Sequence, residues 1–206
     1  MATQFKDTFT GSGALESHTP EVGFPGGVWG NTYGQFQLSG GKVYFPLGSV
    51  QDYTGVSYGD VSGAIQGGFS DTINFSFVTG PDTTLPPGGD VFGCEVYVIG
   101  QFRANMSATD YNGEGWTISV GDGGSSFKFF IAQPAPNTEY PGVFTYAHGI
   151  KTATLNGVTK SWAETSPKTS LSLIRIGLGG TMGIGYIEAS SSDAWWTSFI
   201  GTSEIT

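Results

Sequence analysis

Histidine, cysteine and paired carboxylates are the side chains that most readily move protons, attack carbonyls or hold metals, and this chain is sparing with all of them. It has two histidines and one cysteine. His18 lies in a proline-rich stretch and His148 opens a strand; neither belongs to an HExxH pair or a GxSxG elbow. Both read as loop or structural histidines. Cys94, in DVFGCEVYVIG, reads as a small buried hydrophobe, because no basic neighbour in the sequence would lower its thiol. One cysteine supports neither an intrachain disulfide nor a cysteine-rich zinc site. Glycoside hydrolysis needs two carboxyl groups about 5–9 Å apart. Acids two residues apart on a strand would share a face, as in an ExDxxE signature, and no such spacing occurs. Glu95 and Glu188 stand alone in their strands and read as outward polar positions. The expectation is a protein that is not an enzyme, with no catalytic residues.

Other residues suggest contacts rather than reactions. Asp110, Asn112 and Glu114 alternate in DYNGEG like part of a calcium loop, but the full EF-hand spacing is missing and a solvated turn accounts for them. No cofactor is expected. Trp195 and Trp196 are adjacent, so on a strand one of them faces outward. Tyr111 and Trp116 flank the DYNGEG loop. Exposed aromatic side chains of this kind stack on sugar rings or anchor protein interfaces. Phe5, Phe9, Phe24 and Trp29, with Val22 and Val28, crowd a long N-terminal arm and require burial, either on the chain's own body or on a neighbour.

The elements that would position these residues are strands. Glycine occurs 34 times in 206 residues while charged residues make up only 12%. Glycine is costly in helices and useful at turns, so this composition argues against a helical protein. The Asn156-Gly157 pair between Leu155 and Val158 fits a two-residue type I′ hairpin loop. Ile174 and Ile176 fall on one face of a strand, with Leu173 and Arg175 on the other. A further apolar strand runs through Ile184 and Ile187. Ile73, Phe75 and Phe77 alternate with Thr72, Asn74 and Ser76. Trp116, Ile118 and Val120 alternate likewise, and a Gly-Asp-Gly-Gly turn joins them to Phe127–Ile131. Val91–Phe102 reads as one long apolar strand and Gln133–Pro141 as a proline-rich connection. The rhythm predicts an all-β, antiparallel two-sheet jelly-roll sandwich without substantial helix, forming one domain over 1–206 with 1–28 as an extended arm. A net charge of −9 with eight basic residues argues against nucleic acid and anionic membranes. The opening MATQFKDTF has no apolar h-region, so the expectation is synthesis in a cytoplasm without a secretory signal.

Asp7-Thr8-Phe9-Thr10-Gly11-Ser12, then Leu15 and His18-Thr19-Pro20, resembles the opening of accessory domains of phage and prophage virions. Gly34, Phe36, Leu38 and Gly40-Gly41 continue the likeness. The closing Leu155-Asn156-Gly157, Ile176-Gly177-Leu178-Gly179 and Gly185-Tyr186-Ile187 are similar to concanavalin-like and laminin-G-like sandwiches. The resemblance implies a virion structural protein, made in the host cytoplasm. Its leading form is a capsid decoration or cement protein touching the major capsid protein or other virion proteins. The alternative is a carbohydrate-binding receptor module of a head or tail fibre, recognising a host glycan. Closed rings at symmetry points of such particles favour a homotrimer with the arm in its contacts.

Overall fold

In a computed structural model, the chain forms two antiparallel sheets packed face to face. The structure describes residues 2–23, 28–31, 36–46, 59–64, 71–85, 91–98, 101–109, 115–122, 125–163, 173–179 and 182–191. Its strands are β1 (Ala2–Asp7), β2 (Gly13–Ala14), β3 (Gly30–Asn31), β4 (Gln37–Leu38), β5 (Val43–Tyr44), β6 (Gly59–Ala64), β7 (Thr72–Val78) and β8 (Val91–Val98). They continue with β9 (Phe102–Thr109), β10 (Trp116–Gly121), β11 (Ser126–Phe130), β12 (Glu139–Ala147), β13 (Ile150–Leu155), β14 (Val158–Ala163), β15 (Leu173–Gly179) and β16 (Gly183–Ser191). Among the described residues the helical content is one 3₁₀ turn, Leu15–Ser17.

The nine-stranded sheet runs β14-β13-β12-β7-β16-β5-β4-β2, with β1 also paired to β16. The seven-stranded sheet runs β11-β10-β9-β8-β15-β6-β3. Consecutive strands β15 and β16 enter different sheets, each at an interior position, so the closing segment ties both layers together. Between the layers, Phe75 and Phe144 from one sheet meet Phe102 from the other. Phe102 stacks on Phe144 with ring centroids 4.6 Å apart and lies 5.7 Å from Phe75. All three are fully buried. Aromatic burial of this kind supplies much of a sandwich's stability.

The predicted alternations hold. Ile73, Phe75, Phe77, Ile118, Val120, Ile174 and Ile176 face the core. Asn156 (φ 50°) and Gly157 (φ 74°) both take positive φ between β13 and β14, as a type I′ loop requires. His148 (φ 51°) and Gly149 (φ 79°) do the same between β12 and β13, so His148 sits in a turn rather than opening a strand.

Two readings need correction. Val91–Phe102 is not one strand: β8 ends at Val98, the Gln101 N–H donates to the Val98 carbonyl, and β9 returns antiparallel. Gln133–Pro141 is not all connection, because β12 begins at Glu139. Pro141 pairs with Ser76 of β7 but lies beyond the end of β13, whose last partner is Gly142. β12 has a neighbour on one side only at that level, which tolerates a residue without an N–H.

The arm folds onto its own body. Phe5, Phe9, Leu15 and Trp29 are fully buried, and β1 lies along β16. Asp7 is its hub. Its carboxylate accepts from Trp29 Nε1 (2.6 Å) and the Phe9 N–H (2.7 Å), and His18 Nε2 lies 2.8 Å away. Burial pushes the Asp7 carboxyl above its ordinary value against the pull of these hydrogen bonds. Of the apolar groups that suggested a subunit contact, Phe5, Phe9 and Trp29 are therefore core, Val28 is 51% exposed and Phe24 lies outside the described residues, so these three aromatic side chains give no argument for a trimer built on the arm.

Candidate functional site

The outer face of the seven-stranded sheet gathers polar groups from strands distant in sequence. Alternation sends Cys94, Val96 and Val98 of β8 inward and leaves Glu95 and Tyr97 outside. On β9 it sends Phe102, Ala104, Met106 and Ala108 inward and leaves Arg103, Asn105 and Ser107 outside. Register then lines them up. Lys128, Ser119, Asn105 and Glu95 stand opposite one another on β11, β10, β9 and β8. The next row is Ser126, Gly121, Arg103 and Tyr97. Glycines occupy the flanking positions: Gly93 faces Gly179, and Gly177 faces Glu95.

Glu95 Oε2 accepts from Arg103 Nε at 2.7 Å and from Nη2 at 2.5 Å. The guanidinium lies 5.9 Å from the Tyr97 ring centroid. Glu95 is nearly buried while the Arg103 side chain is 53% exposed. Beside this pair a cavity of about 200 Å³ is lined by Arg103, Asn105, Ser119, Gly121 and Ser126, among others. Asn105 Oδ1 is buried there with no hydrogen-bond partner. A Cβ at Gly121 would come within 2.0 Å of the Ser125 carbonyl oxygen, so this wall needs glycine.

The cavity's far wall is braced from the other sheet. Asp122 follows β10, and its Oδ2 accepts from Lys151 Nζ (3.1 Å) on β13 and from Trp162 Nε1 (3.0 Å) on β14. Its Oδ1 accepts from the Ser125 N–H at 2.8 Å. Lys151 is 1% exposed, so this pair joins the two sheets at a dry edge of the sandwich.

The residues singled out in the sequence fall elsewhere. Phe5, Phe9 and Trp29 are core, and Trp116 is buried with its Nε1 donating to the Thr83 carbonyl at 2.9 Å. None of these four offers a surface platform. Phe24, Tyr111, Trp195, Trp196 and the calcium candidates Asp110, Asn112 and Glu114 lie outside the described residues. Cys94 is buried as expected; burial, helped by the Glu95 charge, holds its thiol well above the ordinary range. Glu95 does face outward, but it does not stand alone. Its partners Arg103 and Asn105 were missed, although strict alternation in FRANMSA marks them as outward positions.

No family model and no curated protein matches the sequence. Solved structures do match the fold. A glycosyl hydrolase family protein from Mycobacterium fortuitum aligns at a TM-score of 0.56 and 12% identity, over 92% of this chain and 100% of that one. A glycosyl hydrolase family 16 protein from Mycobacterium smegmatis aligns at 0.58 and 11%, over 91% and 100%. The carbohydrate recognition domain of Emp47p aligns at 0.52 and 11%, over 91% and 97%. Nothing in these comparisons points to a virion. They also overturn the expectation that the protein is not an enzyme, since that rested on missing local motifs and the sandwich is one that glycosyl hydrolase family proteins share. At this identity the likeness reaches the fold alone: the chain is an all-β jelly-roll sandwich of the concanavalin-like kind found in glycosyl hydrolases and carbohydrate recognition domains.

Proposed function

We propose that the outer face of the seven-stranded sheet binds carbohydrate. One observation carries the reading: Arg103, Asn105 and Ser119 line a cavity, beside Glu95, in which a buried amide oxygen has no partner among the described residues. Sugar hydroxyls donate and accept together, so a saccharide suits a surface mixing carboxylate, guanidinium, amide and hydroxyl groups. Glycines at 93, 177 and 179 keep the middle of the face free of large side chains, which lets a ring approach the backbone. The likeness to a carbohydrate recognition domain and to glycosyl hydrolases supports this through fold only.

The test is a screen of the purified protein against neutral and acidic oligosaccharides, followed by titration of the best ligand. Asn105→Trp should fill the cavity and weaken binding by roughly tenfold or more, with the melting temperature held. Binding unchanged in that variant, or no saccharide bound at all, would sink the reading.

One register favours a second reading, hydrolysis. Asp60, Gly177 and Glu95 stand side by side on β6, β15 and β8. Two interstrand spacings of about 4.8 Å separate the acidic positions, comparable with the roughly 6.5–9.5 Å between the carboxyl groups of inverting glycosidases. Release of reducing ends by the wild type, lost in Glu95→Gln and in Asp60→Asn, would establish it; binding without release would remove it. A place on a virion rests on the resemblance of residues 7–20 and 34–41, and immunogold labelling of intact particles decides it.

A further inference from the structure

We propose that the cavity beside Glu95 selects an acidic saccharide, with Arg103 anchoring the sugar's carboxylate. This rests on the carbohydrate reading of the same face and names the substrate class. Arg103 gives Nε and Nη2 to one oxygen of Glu95 and keeps Nη1 without a partner, on a side chain that is 53% exposed. A guanidinium is a rigid fork of donors matched to carboxylate geometry. The side-chain oxygen of Asn105, the next outward residue on β9, is buried and accepts no hydrogen bond among the described residues. The hydroxyls of Ser119 and Ser126 complete the lining. Exchanging the oxygen and nitrogen of the Asn105 amide would present a buried donor in place of a buried acceptor, and either leaves a polar group awaiting a ligand.

The overall charge sets a condition on the site. The molecule carries −9, with only eight basic residues. On this face, among the residues whose side chains are described, Glu95 is answered by Arg103, and Lys128 stands in the row of Ser119 and Asn105. The overall field would repel an anionic sugar, so a preference for one must come from the site itself.

The experiment is calorimetric titration at low salt with a uronic-acid trisaccharide and its uncharged counterpart. The variants are Arg103→Lys, which keeps a cation for Glu95 but removes the fork, and Asn105→Asp, which adds a like charge. The wild type should prefer the acidic sugar by roughly tenfold or more, the worth of one charge-assisted hydrogen bond. Both variants should lose that preference while still binding the neutral sugar. Equal affinity of the wild type for the two sugars, or a preference untouched by Arg103→Lys, overturns the proposal and leaves the carbohydrate reading standing. Failure of both sugars, with no other saccharide bound in the screen, overturns that reading and the proposal with it. A weak preference for free acetate equal to that for the trisaccharide would show an anion site without sugar recognition and would also overturn it.

Discussion

At the β13–β14 edge of the nine-stranded sheet's outer face, hydroxyls answer hydroxyls, although Ser76 Oγ on β7 of the same sheet is buried without a partner among the described residues. Thr152 Oγ1 lies 2.9 Å from Ser161 Oγ, and Thr154 Oγ1 lies 2.9 Å from Thr159 Oγ1, each pair directly across β13 and β14. On the outer face of the seven-stranded sheet Ser107 Oγ and Thr117 Oγ1 also meet, at 3.3 Å, but beside the cavity the polar groups do not all close on one another. Asn105 Oδ1 has no partner among the described residues, and Arg103 spends part of its fork on Glu95 and leaves the rest exposed. A sheet face that satisfies itself needs nothing further. One that leaves a buried amide unanswered carries a cost of about 1–3 kcal/mol, which a ligand can offset. The difference assigns stability to the β13–β14 edge and recognition to the cavity beside Glu95.

The largest expected effect comes from the clamp between them. Lys151→Met leaves the Asp122 carboxylate without the Lys151 ammonium at a nearly dry site. We expect a loss of about 3–5 kcal/mol in denaturant unfolding, because breaking one side of a buried pair removes the cation that compensates the carboxylate, which keeps the Trp162 and Ser125 donors. Adding Asp122→Asn should recover part of it. A loss below about 1 kcal/mol would place the pair with ordinary surface salt bridges.

Next is the turn of the nine-stranded sheet. Gly157 has φ 74° with nothing within 4 Å of an added Cβ, so Gly157→Val suffers from backbone conformation rather than crowding. The expected loss is about 1–3 kcal/mol. An unchanged melting temperature would contradict the turn's role.

Asp7 gives a pH signature. Burial holds its folded carboxyl above the ordinary 3.8, so between that value and the raised one the folded protein binds a proton that the unfolded chain has released. Its contribution therefore stabilises on acidification and is lost as pH rises through the raised value. Asp7→Asn cannot take up that proton. Unfolding measured from neutral pH down to about 3.8 should show the wild type gaining on Asp7→Asn as pH falls. A constant difference would mean that the carboxyl titrates alike in both states.

The smallest effect has the opposite sign. Asn105→Ala removes the orphaned amide and should leave stability unchanged or raise it by up to about 1 kcal/mol, while weakening saccharide binding. A loss of 2 kcal/mol or so would make Asn105 a structural residue.

Local signals carried the fold further than the site. Asn156-Gly157 and the Ile73–Phe77 alternation report on nearest neighbours, and both were legible. The run from Val91 to Phe102 was not, because apolar residues continue through the β8–β9 turn and no Asn-Gly or Pro-Gly marks it. That one misreading hid the site. With β8 and β9 taken as a single strand, Glu95 has no neighbour, and Arg103 and Asn105 belong to no element. Once the hairpin is seen, Glu95 faces Asn105 and lies diagonal to Arg103. The expectation of no enzyme was overturned by the fold likeness to glycosyl hydrolase family proteins; it rested on local motifs and on acids along one strand, which report nothing of neighbours across strands.

The most direct test of the division between the faces is a backbone amide shift map during titration with the saccharide that binds best. The account predicts perturbations at Glu95, Arg103, Asn105 and Ser119, with Thr152, Thr154, Thr159 and Ser161 unmoved. Perturbations centred on those four hydroxyl residues, with the Glu95 face silent, would contradict it.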